Sequence, residues 1–111
     1  MDSEKQEHDL IVDHLKKRFS GQYGEIRVNE GGLPDLVLVN HGLILAFVEV
    51  ETSKTITSEK AERWKEMAQS GSKLILMVPK AAKVKVMELL WKYGIADTVG
   101  VGTYEITVQM P

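Results

Sequence analysis

Cysteine is absent from these 111 residues, so neither a disulfide framework nor a zinc–thiolate site can be built. Aromatic residues make up only 6% of the chain, and Trp64 and Trp91 read as core or cover residues rather than as a platform for stacked bases. No apolar run approaches the ~20 residues of a membrane span. The charged, polar first stretch does not read as a secretory signal, so a soluble protein with no membrane partner, cytoplasmic in setting, is the expectation. Neither sign of charge dominates: 14 Lys and Arg against 16 Asp and Glu leave a net charge of −2. Nothing global attracts a polyanion, so any basic surface has to be local. What is present, 43% hydrophobic and 27% charged residues, is the composition of one globular domain over residues 1–111.

Periodicity divides that domain. Leu10, Ile11, Leu15 and Phe19 make an apolar stripe over a helix from Ser3 to Phe19, with Lys16, Lys17 and Arg18 at its end. Residues 7, 10, 11 and 14 share its core-facing side in this reading. A short strand over Glu25–Val28 leads through the turn at Gly31-Gly32 to two apolar strands, Leu36–Val39 and Leu45–Glu51. Asn40-His41-Gly42 between them has turn chemistry and predicts an antiparallel hairpin. A helix over Ser58–Gln69, a buried strand over Lys73–Val78 and a helix from Pro79 to Tyr93 follow. Alternation over Thr103–Val108 predicts a last, half-exposed strand. The order is αβββαβ, then a further helix and strand.

The chemistry sits inside the hairpin. Glu49 and Glu51 alternate with Ala46, Val48 and Val50, so both acids point to one face of an otherwise apolar strand. Pairing outward from the turn brings Asp35 beside them. Carboxylates crowded at a buried strand end repel one another and lose hydration, so at least one titrates above its ordinary value unless a cation is present. Oxygen donors with no cysteine favour a hard ion, Mg²⁺ or Mn²⁺, over zinc.

Pro34-Asp35 followed by Glu49-Val50-Glu51 resembles the PD-(D/E)XK, or restriction-endonuclease-like, nuclease superfamily. The resemblance implies a central mixed sheet flanked by helices, with the αβββαβ core over roughly residues 3–78. It implies that Asp35 and Glu49 hold Mg²⁺ or Mn²⁺, with the Val50 carbonyl as a further ligand. It also implies a metal-facing acid on the first helix, for which Glu7 is the matching position. Glu51 departs from the pattern, standing where the motif lysine belongs; there it would bind metal or orient water. The missing positive charge would then come from Lys54, three residues on, or from Lys60. On the following helix, residues 57, 60, 61 and 64 face alike, which aims Lys60 back at the acids.

The function implied is metal-dependent hydrolysis of phosphodiesters in nucleic acid, DNA first, structure-specific or partner-directed. The alternative is a silent domain of the same fold that binds DNA or assembles with a partner. Spanning a duplex would call for a homodimer, with Val84, Met87 and Trp91 on the last helix as the interface. His8, His14 and His41 read as surface, half-buried and turn residues.

Overall fold

The computed structural model describes residues 3–29 and 34–106. The elements are α1 (Ser3–Phe19), β1 (Glu25–Val28), β2 (Leu36–Asn40), β3 (Leu43–Val50), α2 (Ser58–Ala68), β4 (Lys73–Pro79), α3 (Lys83–Lys92) and β5 (Val99–Tyr104). One mixed five-stranded sheet runs in the order β1-β2-β3-β4-β5. The first three strands are antiparallel, and β3, β4 and β5 are parallel to one another. The chain is therefore an α/β domain with three helices around a mixed sheet.

Strand alternation decides which helix covers which face. Leu36, Leu38, Ala46, Val48 and Val50 face α1, where Ile11 and Leu15 meet them. Phe47 and the β4 residues Leu74, Leu76 and Val78 face a second layer built from Ala61 and Trp64 of α2 and Val86 and Leu90 of α3. Because the central strands are apolar on both faces, they sit between two cores. Each fully buried leucine contributes roughly 1.5–3 kcal/mol by leaving water.

The hairpin turn is tight. His41 and Gly42 are its two central residues, with φ of 52° and 77°, and Asn40 pairs with Leu43 across them. Two successive positive φ values define a type I′ turn, whose twist matches that of the strands but is costly for any residue with a Cβ except Asn or Asp. His41→Asn, which makes the favoured Asn-Gly pair, should raise stability by about 0.5 kcal/mol in urea unfolding. An unchanged or lower midpoint would mean that the His41 side chain makes a compensating contact.

The ladder between β2 and β3 is not uniform. Asn40 pairs with Leu43 and Val39 with Ile44, but Leu38 pairs with Ala46, so Leu45 is one extra residue in β3. This bulge brings Leu36 opposite Val48, and hence Asp35, the next residue outward, opposite Glu49.

Several expectations need correction. The last helix does not begin at Pro79, which is extended (ψ 138°) and closes β4; a single 3₁₀ turn, Lys80–Ala82, comes before α3. The last strand runs over Val99–Tyr104, not Thr103–Val108; Glu105 and Ile106 lie beyond it, and Thr107 and Val108 fall outside the described residues, as do Gly31 and Gly32. Gly100 and Gly102 hide the strand from a pattern reading. At Gly102 an added Cβ would lie 2.5 Å from Met77 Sδ, so glycine lets β5 lie close against β4. On α1 the buried stripe is turned by one residue: Ile11 and Leu15 are buried while Leu10 is 57% exposed. Of the interface residues expected on α3, Val84 and Trp91 are exposed and Met87 packs against the core.

Candidate active site

Asp35 immediately precedes β2, Glu49 stands near the end of β3 and Glu51 just beyond it, so the three acids meet at one end of the hairpin. All three are buried. Each carboxyl has a different set of partners, and those partners define its role.

Asp35 is held from three directions. Its Oδ2 accepts the Val50 N–H at 2.7 Å, its Oδ1 lies 2.9 Å from His8 Nε2, and its own N–H donates to Glu49 Oε1 at 3.1 Å. Burial pushes the carboxyl up, but His8, the neighbouring Glu49 and the Val50 N–H outweigh it and hold Asp35 below its ordinary value. His8 Nδ1 lies 3.1 Å from Asp9 Oδ1. Both ring nitrogens therefore face carboxylate oxygens, and both can donate only in the imidazolium form. Asp35 accordingly raises the His8 pKa, against its partial burial.

Glu49 carries the opposite assignment. Burial first, and then the neighbouring Asp35 carboxylate, push it up to about 10, so it holds a proton at neutral pH when no metal is present. Its Oε1 is occupied by the Asp35 N–H, whereas Oε2 is buried with no hydrogen-bond partner among the described residues. The Lys60 ammonium lies 3.6 Å from Oε2.

Glu51, in the motif-lysine position, turns into α2. Its Oε2 accepts the Trp64 indole N–H at 2.6 Å, and its Oε1 accepts from Thr55 Oγ1 at 2.7 Å and from Lys60 Nζ at 3.2 Å. Burial pushes this carboxyl up, against the pull of Lys60, Trp64 and Thr55. The local sequence explains how α2 supplies these donors. Thr57 caps the helix by accepting the Lys60 N–H at 3.1 Å, which places Lys60 in the first turn and Trp64 one turn later on the same face. Lys60 therefore bridges Glu49 and Glu51. Desolvation would lower its pKa, but the two glutamates, Glu51 first, raise it.

The remaining expected residues lie around this centre. Glu7 is half-buried beside Tyr104, whose hydroxyl donates to the Glu51 carbonyl at 2.7 Å. Burial, Glu7 and Glu4 raise the Tyr104 pKa. Lys54 lies exposed on the turn, its N–H donating to Glu4 Oε1 at 3.3 Å. The structure thus joins Asp35 to Glu49 directly, and Glu49 to Glu51 through Lys60. Among the described residues no three His, Asp or Glu side chains form a ready ligand group.

His8 is the residue that sequence reasoning passed over. Its signal was available: positions 8, 11 and 15 continue one helical stripe, which sets His8 one turn before Ile11 and over the strand ends. A groove of about 490 Å³ opens beside it between α1 and the end of β1, with Asp35 in its wall.

As they stand, these groups offer oxygen donors, one surplus proton on Glu49 and one orphaned buried oxygen. A hard divalent ion, if bound there, would replace the proton and give Oε2 a partner. Comparison of the chain with family models, with curated proteins and with solved structures returns no match.

Proposed function

We propose that this chain is a metal-dependent phosphodiesterase of the restriction-endonuclease-like type, acting on nucleic acid and on DNA in particular, with structure-specific or partner-directed selectivity. The observation that carries the reading is Lys60. Its ammonium lies 3.6 Å from Glu49 Oε2, bringing from α2 the positive charge that the motif strand lacks. Asp35 and Glu49, with the Val50 carbonyl, would hold Mg²⁺ or Mn²⁺, which when bound lowers the pKa of a water and neutralises phosphate charge. His8 orients Asp35, Lys60 offsets charge developing on the phosphate, and Glu51 holds Lys60 in place instead of binding metal. The αβββαβ order and the strand-end position of the acids support the same reading.

A second reading, a silent domain of this fold that binds DNA or a partner, is favoured by the closed state of Glu51, whose carboxylate already has three donors. One experiment separates the two. Purified protein is incubated with Mg²⁺ or Mn²⁺ and labelled duplex, single-stranded and branched DNA, alongside Asp35→Asn. Cleavage by the wild type that is lost in Asp35→Asn is the expected result. Mn²⁺ stabilisation without cleavage of any substrate would favour the silent domain, and neither effect would overturn both.

A further inference from the structure

Between Asp35 and the N-terminus of α2 lies a recess of about 380 Å³, bounded by Glu4, Lys5 and His8 of α1 and by Thr52, Lys54 and Thr55 of the turn after β3. It shares Lys5 and His8 with the groove at Asp35, and Lys54 and Thr55 with the shallow surface at Lys60. Lys5, Lys54 and His8 line it with the carboxylate of Glu4, which accepts the Lys54 N–H, and His8 is also held by Asp35 at 2.9 Å. Asp9, outside the recess, pairs with Lys5 at 2.9 Å and with His8 at 3.1 Å. Thr52, which lines the recess, is only 2% exposed, and its hydroxyl has no hydrogen-bond partner among the described residues. Its O–H is thus a donor with no acceptor among the described residues, set at the wall of the recess. Ammonium groups beside a hydroxyl donor suit an oxyanion.

We infer that this recess is a phosphate subsite, seating a backbone phosphate of a polynucleotide next to the phosphate that Asp35 and Lys60 engage. The inference rests on the nuclease reading and deepens it. Lys54 becomes a grip on the substrate backbone, leaving Lys60 as the cation at the reacting phosphate. Among the described residues no Phe, Tyr or Trp lines the recess, so the grip is on the backbone and carries no base sequence.

The test is fluorescence anisotropy of labelled single-stranded and duplex DNA in EDTA across a salt series, with wild type, Lys5→Ala, Lys54→Ala and Thr52→Val. Each lysine variant should lower the slope of log affinity against log salt by about one. Thr52→Val keeps shape and charge; it should weaken binding roughly 3- to 10-fold at an unchanged slope. Unchanged affinity and slope in the variants, or no measurable binding by the wild type, overturns the subsite. Should Thr52→Val fail to fold by circular dichroism, Lys54→Ala decides alone, since Lys54 is exposed. Inorganic phosphate without DNA is the third arm. If it stabilises the wild type but not Thr52→Val while DNA affinity stays unchanged throughout, the recess holds a free anion and the polynucleotide assignment falls. Wild type that binds with the expected variant pattern but never cleaves would sink the nuclease reading and leave the subsite standing. Wild type that cleaves while all three variants bind normally would sink the subsite alone.

Discussion

Lys60→Met should cost about 3 kcal/mol in urea unfolding, near the lower end of what breaking a buried ion pair costs, because the lysine side chain keeps 22% exposure. The loss falls mainly on Glu51. Its Oε1 would keep only Thr55, and a buried carboxylate would be left without a countercharge. Methionine fills much of the same space, so the deficit reads out charge rather than packing. On the proposed nuclease reading, the variant should also cleave DNA roughly 10²–10³-fold more slowly than the wild type, the usual effect of removing one electrostatic stabiliser of a transition state. Lys60→Arg separates the two roles: it should restore most of the stability and little of the rate, since a forked guanidinium does not reproduce a point charge between two glutamates. If Lys60→Met melts and cleaves like the wild type, Lys60 is an ordinary surface lysine and its closeness to the acids has no consequence.

The second large effect is a pH dependence with an unusual sign for a carboxylate. Glu49 rises from an ordinary 4.5 to about 10 in the folded, metal-free protein. Between those values the folded chain keeps a proton that the unfolded chain has released. The associated stability is complete below about pH 4.5, declines as pH rises through the window, and is gone above about pH 10. At about 1.4 kcal/mol per pH unit, roughly 3 kcal/mol disappears between pH 4.5 and 7. His8, raised above 6.5, adds a smaller decline in the same direction above that pH. Asp35, held low, contributes stability that is lost only as pH falls below 3.8. Glu49→Gln mimics the protonated acid and isolates the first effect. The variant should lack most of the decline and, at pH 8 in EDTA, should outlast the wild type in thermal melting. Mn²⁺ should reverse the order, raising the melting temperature of the wild type and not of Glu49→Gln. Parallel pH curves for the two proteins would show that Glu49 ionises like a surface glutamate.

Much of this site was legible in the chain. The Asn40-His41-Gly42 turn and the two apolar runs fixed the hairpin, and the hairpin fixed the neighbourhood of Asp35 and Glu49. Helical spacing aimed Lys60 and Trp64 the same way. Crowded acids imply that one carboxyl must hold a proton, but spacing cannot say which. Donors make that choice: the Val50 N–H and His8 serve Asp35, so the proton falls to Glu49. His8 was hidden because α1 is turned by one residue from the stripe its leucines suggest, with Leu10 outward. The position of β5 was hidden for a different reason, since its glycines are set by contact with a neighbouring strand and leave no period of their own.

The extra residue in β3 sets a counting rule for how this motif can be inherited. Across a two-residue turn, an unbroken ladder pairs only residues an odd number of positions apart. Asn40 and Leu43 obey this, but Asp35 and Glu49 stand 14 apart, an even number. Leu45 supplies the missing step. Spacers between the two acids can therefore lengthen or shorten in pairs of residues without penalty, whereas a change by one must create or abolish a bulge. Deleting Leu45 itself is the permitted single step: the ladder straightens and the acids stay opposed. Any other unit change along the spacer that keeps both the turn and the bulge sends one acid to the far face of the sheet, and the chain keeps its letters while losing its site.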